Sequence, residues 1–363
     1  MHFSEIRLLQ WRNFHRLQVS LYPGTTMVIG DNAQGKTNFL EALYFISRRT
    51  SPRRAIDSDL IHWGEEKAYC GASVVDGPVT FTRELIIRMG KRKEWKWNGC
   101  EEPRRGERNT IWLVGFFPHD IDIVDGPPQL RRDFLDQAIG FIYPAHEMWG
   151  VRYSKALFRR NLLLRERADK DLILVYTEQL IEAGGKIIRG RTHYLRALAP
   201  HLAEVYFRLA GGKGKVGVEY EPSKPGIGVE VERDLREAYA RYEGEEREKG
   251  MTLVGPHRDE PIFFNEGKEF KSFASQGEKK TLALALKLAE MAVMREVKKR
   301  DVIALLDDVF SELDRNRRQY LLQGLLTGGQ VIFSATDLDE GQDFSGGRLT
   351  RFFCQGGNLL LDG

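Results

Sequence analysis

Two short runs near opposite ends of the chain leave few folds open to it. The first, Gly30-Asp31-Asn32-Ala33-Gln34-Gly35-Lys36-Thr37, satisfies G-x-x-x-x-G-K-[ST] and follows the apolar segment Thr26–Ile29. Asn38–Ser47 behind it reads as a helix, which completes the strand, glycine loop and helix that phosphate binding requires. In that context Gly35 lets backbone N–H groups curl around a β-phosphate. Lys36 reaches the β and γ oxygens, and Thr37 offers its hydroxyl to Mg²⁺.

The second run is Ser275-Gln276-Gly277-Glu278, followed by the apolar strand Val302–Leu306 and the pair Asp307-Asp308. Asp307 stands where a carboxylate holds Mg²⁺ through water, and Asp308 where one orients or deprotonates an attacking water. Ser275–Glu278 has two compatible readings. It is an S-x-x-E capping box opening the helix that follows, and it is a phosphate-facing turn at a helix N-terminus. The order decides: glycine loop, Ser-x-Gly-Glu turn, acidic strand, then Ser311-Glu312-Leu313-Asp314. That succession is the arrangement of ATP-binding cassettes, in which the turn of one copy closes over the γ-phosphate held by another. The catalytic candidates are therefore Asp308, Lys36 and Ser275, with ATP and Mg²⁺ as cofactors and Thr37 and Asp307 as metal ligands.

The chain has 363 residues, 42% of them hydrophobic, enough for one large core or two smaller ones. Cys70, Cys100 and Cys354 are too few and too irregularly spaced for a disulfide framework or a zinc site. Met1–Glu5 has no basic or apolar leader character, and no run approaches a membrane span, so a cytoplasmic protein without membrane contact is expected. The net charge of +3 hides a split. Residues 1–108 hold 18 Lys/Arg against 13 Asp/Glu and residues 126–212 hold 14 against 9, whereas residues 213–363 hold 23 against 27. Basic residues interleaved with Trp95 and Trp97 (Lys91, Arg92, Lys93, Lys96), with Arg48, Arg49, Arg53 and Arg54 before them and Arg104, Arg105 and Arg108 after, suit either a nucleic-acid backbone or a solvated hairpin.

Coarse periodicity gives strands at Phe3–Leu9, Leu17–Leu21 and Thr26–Ile29, with hairpins through residues 68–113 around Asp76-Gly77 and Asn98-Gly99. Helical spacing dominates Leu130–Leu209. Val216–Tyr220 reads as a strand that resumes the sheet, and Glu230–Lys249, Thr281–Lys299 and Asn316–Leu326 read as helices. The expected fold is α/β, a P-loop ATPase head of the ABC/SMC type interrupted by a mainly helical second domain. Its parts are 1–125 (head with the P-loop), 126–212 (helical arm) and 213–363 (head with the Ser275 turn and acidic strand).

The chain resembles the RecF family of SMC-like ATPases along its whole length. The resemblance is carried by Arg12-Asn13-Phe14, Gly30–Glu41, Pro118 through Arg131-Arg132-Asp133-Phe134-Leu135-Asp136, Gly255-Pro256-His257-Arg258-Asp259, Ser275-Gln276-Gly277 and Leu305–Asp314. His119, where the family usually has an acid, and Pro127, where it has a smaller residue, depart from the pattern. Ser334-Ala335-Thr336-Asp337 has no histidine at the switch position of transporter cassettes, which leaves Thr336 in that place. The resemblance implies an ATP-dependent homodimer in which Arg12, Asn13, Gly30, Asn32, Ala33, Gln34, Gly35, Lys36, Thr37 and Asn38 of one copy meet Ser275, Gln276, Gly277, Glu278 and Asp314 of the other around ATP. It also implies slow, DNA-stimulated hydrolysis, binding to double-stranded DNA and single/double-strand junctions, and work with RecR, RecO and RecA. The alternative is another ABC-type ATPase that couples ATP-driven dimerisation to a non-DNA partner. A kinase fails to explain the Ser275 turn, and Asp307 with Asp308 speaks against a nucleotide-binding scaffold.

Overall fold

A computed structural model describes residues 1–102, 109–228, 230–310, 313, 315–326, 329–337 and 349–362. The chain divides into two compact units, Met1–Asp120 with Glu290–Gly363, and Ile121–Ala289.

The first unit holds two six-stranded sheets. One is antiparallel, in the order Phe14–Ser20, His2–Trp11, Lys67–Asp76, Val79–Arg88, Glu94–Trp97, Cys100–Glu101. Its strand His2–Trp11 buries Phe3, Ile6, Leu8 and Trp11, its alternation broken by a register irregularity between Phe3 and Glu5 and again around Gln10, at φ 50°. The other sheet runs Asn358–Leu361, Leu349–Gln355, Thr25–Ile29, Val331–Ala335, Ile303–Leu306, Leu113–Phe116, and its last five strands are parallel. Parallel strands are covered on both faces, and Thr25–Ile29, Ile303–Leu306 and Val331–Ala335 are buried at every residue. The helix Lys36–Arg48 packs against strands of both sheets and is buried almost all round, which is why its sequence lacks a polar face. Phe45 meets Trp11 edge-on at 5.8 Å and stacks on Trp95 at 6.2 Å. Truncating Phe45 to Ala would cost about 3–5 kcal/mol.

Trp97 likewise stacks on Phe81 at 4.1 Å, with Arg83 over its ring. Lys93 pairs with Asp57 at 2.9 Å. Trp95 and Trp97 are thus half-buried against the core, and Arg104, Arg105 and Arg108 lie outside the described residues.

The second unit is mainly helical. Pro128 and Pro144 open the helices Pro128–Ile142 and Pro144–Arg165, where a missing N–H costs nothing. Asp169 caps Lys170–Leu209 by accepting from the Asp171 N–H at 2.8 Å. Gly250, at φ 62°, ends Val231–Lys249. Three of these helices share one buried ion pair. Arg160 donates to Glu246 at 2.7 Å and to the hydroxyls of Thr177 and Thr252 at 2.8 and 2.9 Å. Losing one partner of such a pair costs about 3–5 kcal/mol, because the other charge stays buried.

One expectation is corrected here. Val216–Glu221 is a strand, but it does not resume the sheet of the first unit. It forms a separate three-stranded antiparallel sheet with Glu260–Asn265 and Lys268–Glu269. The second unit accordingly extends beyond 126–212, to Ala289. The helix Gln276–Lys298 begins in it and ends in the first unit. Among the described residues no helix is long and apolar enough to cross a membrane, and Cys70, Cys100 and Cys354 are all free thiols.

Candidate nucleotide site

The loop that follows Thr25–Ile29 is shaped by two glycines. A methyl group on Gly30 would sit 2.3 Å from the Cys354 carbonyl oxygen, so only glycine lets the strand leave past its neighbour. Gly35 has φ 119° and a methyl there would meet Asn13 Nδ2 at 2.5 Å. Asn13 in turn donates to the Gln34 carbonyl at 3.0 Å, and the Gly356 N–H donates to Gln34 Oε1 at 2.8 Å. The loop is therefore held from two strand ends. Gly35 caps Lys36–Arg48 with no side chain, which leaves the first N–H groups of that helix facing outward as an anion site.

A cleft of about 360 Å³ opens over this loop, lined by residues of the loop together with Arg53, Asp307, Asp308 and Ser334. Lys36 is buried and donates to the carbonyls of Gly30 and Asp31, the latter at 2.9 Å. Thr37 donates its hydroxyl to Asp307 Oδ1 at 3.0 Å, and Ser334 donates to the same oxygen at 2.8 Å. Burial pushes the Asp307 carboxyl above the usual range, opposed by the hydrogen bonds from Ser334 and Thr37 and by the charge of Arg53. Thr37 and Asp307 are two hard oxygen ligands side by side. That donor set fits Mg²⁺, which takes few protein ligands beside water and phosphate.

Asp308 is exposed at φ 53°, and its N–H donates to Ser334 Oγ at 2.8 Å. Adjacent carboxylates thus have opposite settings: Asp307 is buried and fixed, and Asp308 faces the cleft. A left-handed Asp is uncommon and places its side chain where a regular strand would not.

Arg12, expected at the nucleotide, is not among the residues lining the cleft. Its guanidinium donates twice to Glu41, at 2.8 and 2.9 Å, and once to the Asp59 carbonyl at 2.6 Å. Glu41 is fully buried and also accepts from Ser51 Oγ at 2.5 Å, and Ser51 Oγ accepts from the Arg53 N–H at 3.1 Å. Arg53 itself donates to Asn38 Oδ1 at 3.1 Å, and Asn38 donates to Asn13 Oδ1 at 2.8 Å. Arg12 therefore supports the turn that carries Arg53 into the cleft. Sequence reading gave Arg53 to the basic surface and missed its place here. It also passed over Ser334 as a ligand partner, although a lone hydroxyl in the apolar run Val331–Ala335 is the signal for it.

Ser275–Glu278 belongs to the second unit and forms the predicted capping box. Glu278 Oε2 accepts from the Ser275 N–H at 2.9 Å and from its hydroxyl at 2.7 Å. All four residues are exposed. Ser311, Glu312 and Asp314 lie outside the described residues.

The RecF/RecN/SMC N-terminal domain family matches residues 2–337. A DNA replication and repair protein RecF of Halalkalibacterium halodurans is 36% identical over 355 residues, covering 93% of this chain and 94% of the relative. The RecF of Symbiobacterium thermophilum is also 36% identical, over 349 residues, with 94% and 92% covered. Among solved structures, the recombination mediator RecF with ATP, from the RecFOR pathway, superposes with a TM-score of 0.90 at 29% identity, covering 100% of this chain and 98% of that one. The Smc head domain of Pyrococcus furiosus, at 14% identity and a TM-score of 0.57 over 99% and 96% of the two chains, shares the fold.

Proposed function

The chain belongs to the RecF family of SMC-like, ABC-type ATPases, and from that premise we propose that it is an ATP-dependent, DNA-binding recombination mediator. Two copies close around ATP on double-stranded or gapped DNA and help load RecA in single-strand gap repair, with RecR and RecO as partners and the cytoplasm as the compartment.

The observation that carries this reading is the arrangement of Lys36, Thr37, Asp307, Ser334 and Asp308 around one cleft. Lys36 and the open N–H groups at the start of Lys36–Arg48 receive the β and γ phosphates. Thr37 and Asp307 would hold Mg²⁺, which would neutralise charge on the phosphate oxygens. Ser334 keeps the Asp307 carboxylate turned toward Thr37. Arg53, anchored by Asn38, adds a second positive charge beside the phosphates. Asp308 orients the attacking water and accepts its proton. Ser275, Gln276 and Gly277 of the second copy close over the γ-phosphate. Those contacts exist only while the triphosphate is intact, so hydrolysis releases the dimer. DNA binding favours the closed dimer and thereby stimulates the slow ATPase.

The packing of half-buried Trp95 and Trp97 against the core favours one element of the rival reading, an ATPase whose dimer serves a non-DNA partner. Fluorescence anisotropy with a labelled gapped duplex separates the two. Asp308→Asn, which keeps ATP intact, should bind the duplex at least about tenfold more tightly with ATP than with ADP. Equal affinity in the two states would defeat the DNA-clamp reading.

A further inference from the structure

Ser275 has two donors on an exposed turn, the backbone N–H and the hydroxyl. Both end on one oxygen of Glu278, at 2.9 and 2.7 Å, and the Glu278 N–H lies 3.4 Å from Ser275 Oγ in return. The carboxylate thus sits where the N-terminus of Gln276–Lys298 most favours an anion. The hydrogen bonds from the Ser275 hydroxyl and N–H hold the Glu278 carboxyl below its usual range, so it is ionised at neutral pH.

The rest of the turn is fixed from behind. Lys279 is buried and donates to Asp125 Oδ1 at 2.6 Å. Lys271 donates to the Gly126 carbonyl at 3.2 Å, and Thr281 Oγ1 to the Gly277 carbonyl at 2.8 Å. In front, a methyl group on Gly277 would meet nothing within 4 Å. The backbone is already set, and among the described residues the Ser275 donors are taken by the Glu278 side chain.

We propose that Glu278 sets the affinity of the shared ATP site: its carboxylate holds both Ser275 donors until the γ-phosphate on a second copy displaces it. The inference rests on the reading of the Ser275 turn given under the proposed function, and it reverses the expectation that Glu278 helps bind the nucleotide. Two anions compete for the same two donors, and after displacement the carboxylate stays close to the phosphate as a like charge. Glutamine at this position keeps the oxygen that accepts from Ser275 and removes the charge. Alanine removes both.

The test is sedimentation velocity on the full chain with ATPγS, comparing wild type, Glu278→Gln and Glu278→Ala at equal nucleotide occupancy. Glu278→Gln is expected to dimerise about tenfold more tightly than wild type. Glu278→Ala should do so as well, at a lower Tm from loss of the cap. A cap with no further role predicts no gain in dimerisation, so the gain is a readout that helix stability alone would not move. Dimers of both variants no tighter than wild type would overturn the inference and leave the shared site standing. Monomers throughout, for all three chains, would overturn the shared site itself.

Discussion

The cleft over Lys36 and the turn at Ser275 both face phosphate in this account, yet they are built in opposite ways. In the cleft, Thr37, Asp307 and Ser334 come from segments far apart in sequence, and the hydrogen bonds that join them are buried for Ser334 and half-buried for Thr37. The turn satisfies itself locally: Ser275 and Glu278 are three residues apart, exposed, and bonded to each other. A site assembled from tertiary contacts is preorganised by one chain before any ligand arrives. A turn closed by its own carboxylate must exchange that partner for another. Under the proposed function, nucleotide capture falls to the first region and coupling between copies to the second.

The strongest way to break this division is Lys36→Ala. Removing the buried ammonium should weaken ATP binding about 10³-fold, ~4 kcal/mol, by isothermal titration calorimetry. Binding within threefold of wild type would dissolve the assignment of the cleft. Ser275→Arg should instead weaken ATP-induced dimerisation about 100-fold while reducing ATP binding by the dilute chain far less. If both quantities fell together, capture and coupling would not be separable.

The second unit carries a pH dependence of its own, set by a histidine. Burial takes the His257 imidazole down to about 4, with its Nδ1 paired to Tyr153 Oη at 2.7 Å. A histidine that is neutral when folded and titrates near 6.5 when unfolded contributes full stability above pH 6.5 and loses it as pH falls toward 4. By pH 5 the loss should reach about 2 kcal/mol, and His257→Gln should flatten that part of the Tm profile. An unchanged profile in the variant would show that other groups set the acid limb. The smallest effect is expected at Ser334→Ala, which removes one of the two hydrogen bonds that orient Asp307. It should raise the Mg²⁺ concentration for half-maximal ATP turnover about tenfold. No change in Mg²⁺ dependence would mean that Thr37 alone fixes the carboxylate.

The P-loop was legible because its chemistry is local: Gly30, Gly35 and Lys36 report their roles through spacing alone. The helix begins at Lys36, where Asn38 was expected, because Gly35 supplies the left-handed cap. The strand at Val216 was also visible, but no local pattern says which sheet a strand joins, and it joined the second unit. Arg53 carries the same limit. Its charge was plain in the sequence, whereas its place in the cleft depends on the Arg12, Glu41 and Ser51 contacts that position its turn. Trp95 and Trp97, interleaved with basic residues, suited either a phosphate backbone or a solvated hairpin. In the structure both rings pack half-buried against the core, and Lys93, two residues before Trp95 and so on the same face, sets its ammonium over the Phe45 ring at 5.2 Å.

The account stands or falls on whether one ATP joins two copies. Light scattering of wild type and Asp308→Asn, with ATP, with ADP and without nucleotide, measures that directly. The prediction is a dimer mass with ATP alone, persistent in Asp308→Asn and transient in wild type. A monomer mass under every condition would contradict it, and would reduce Ser275–Glu278 to the cap of a helix.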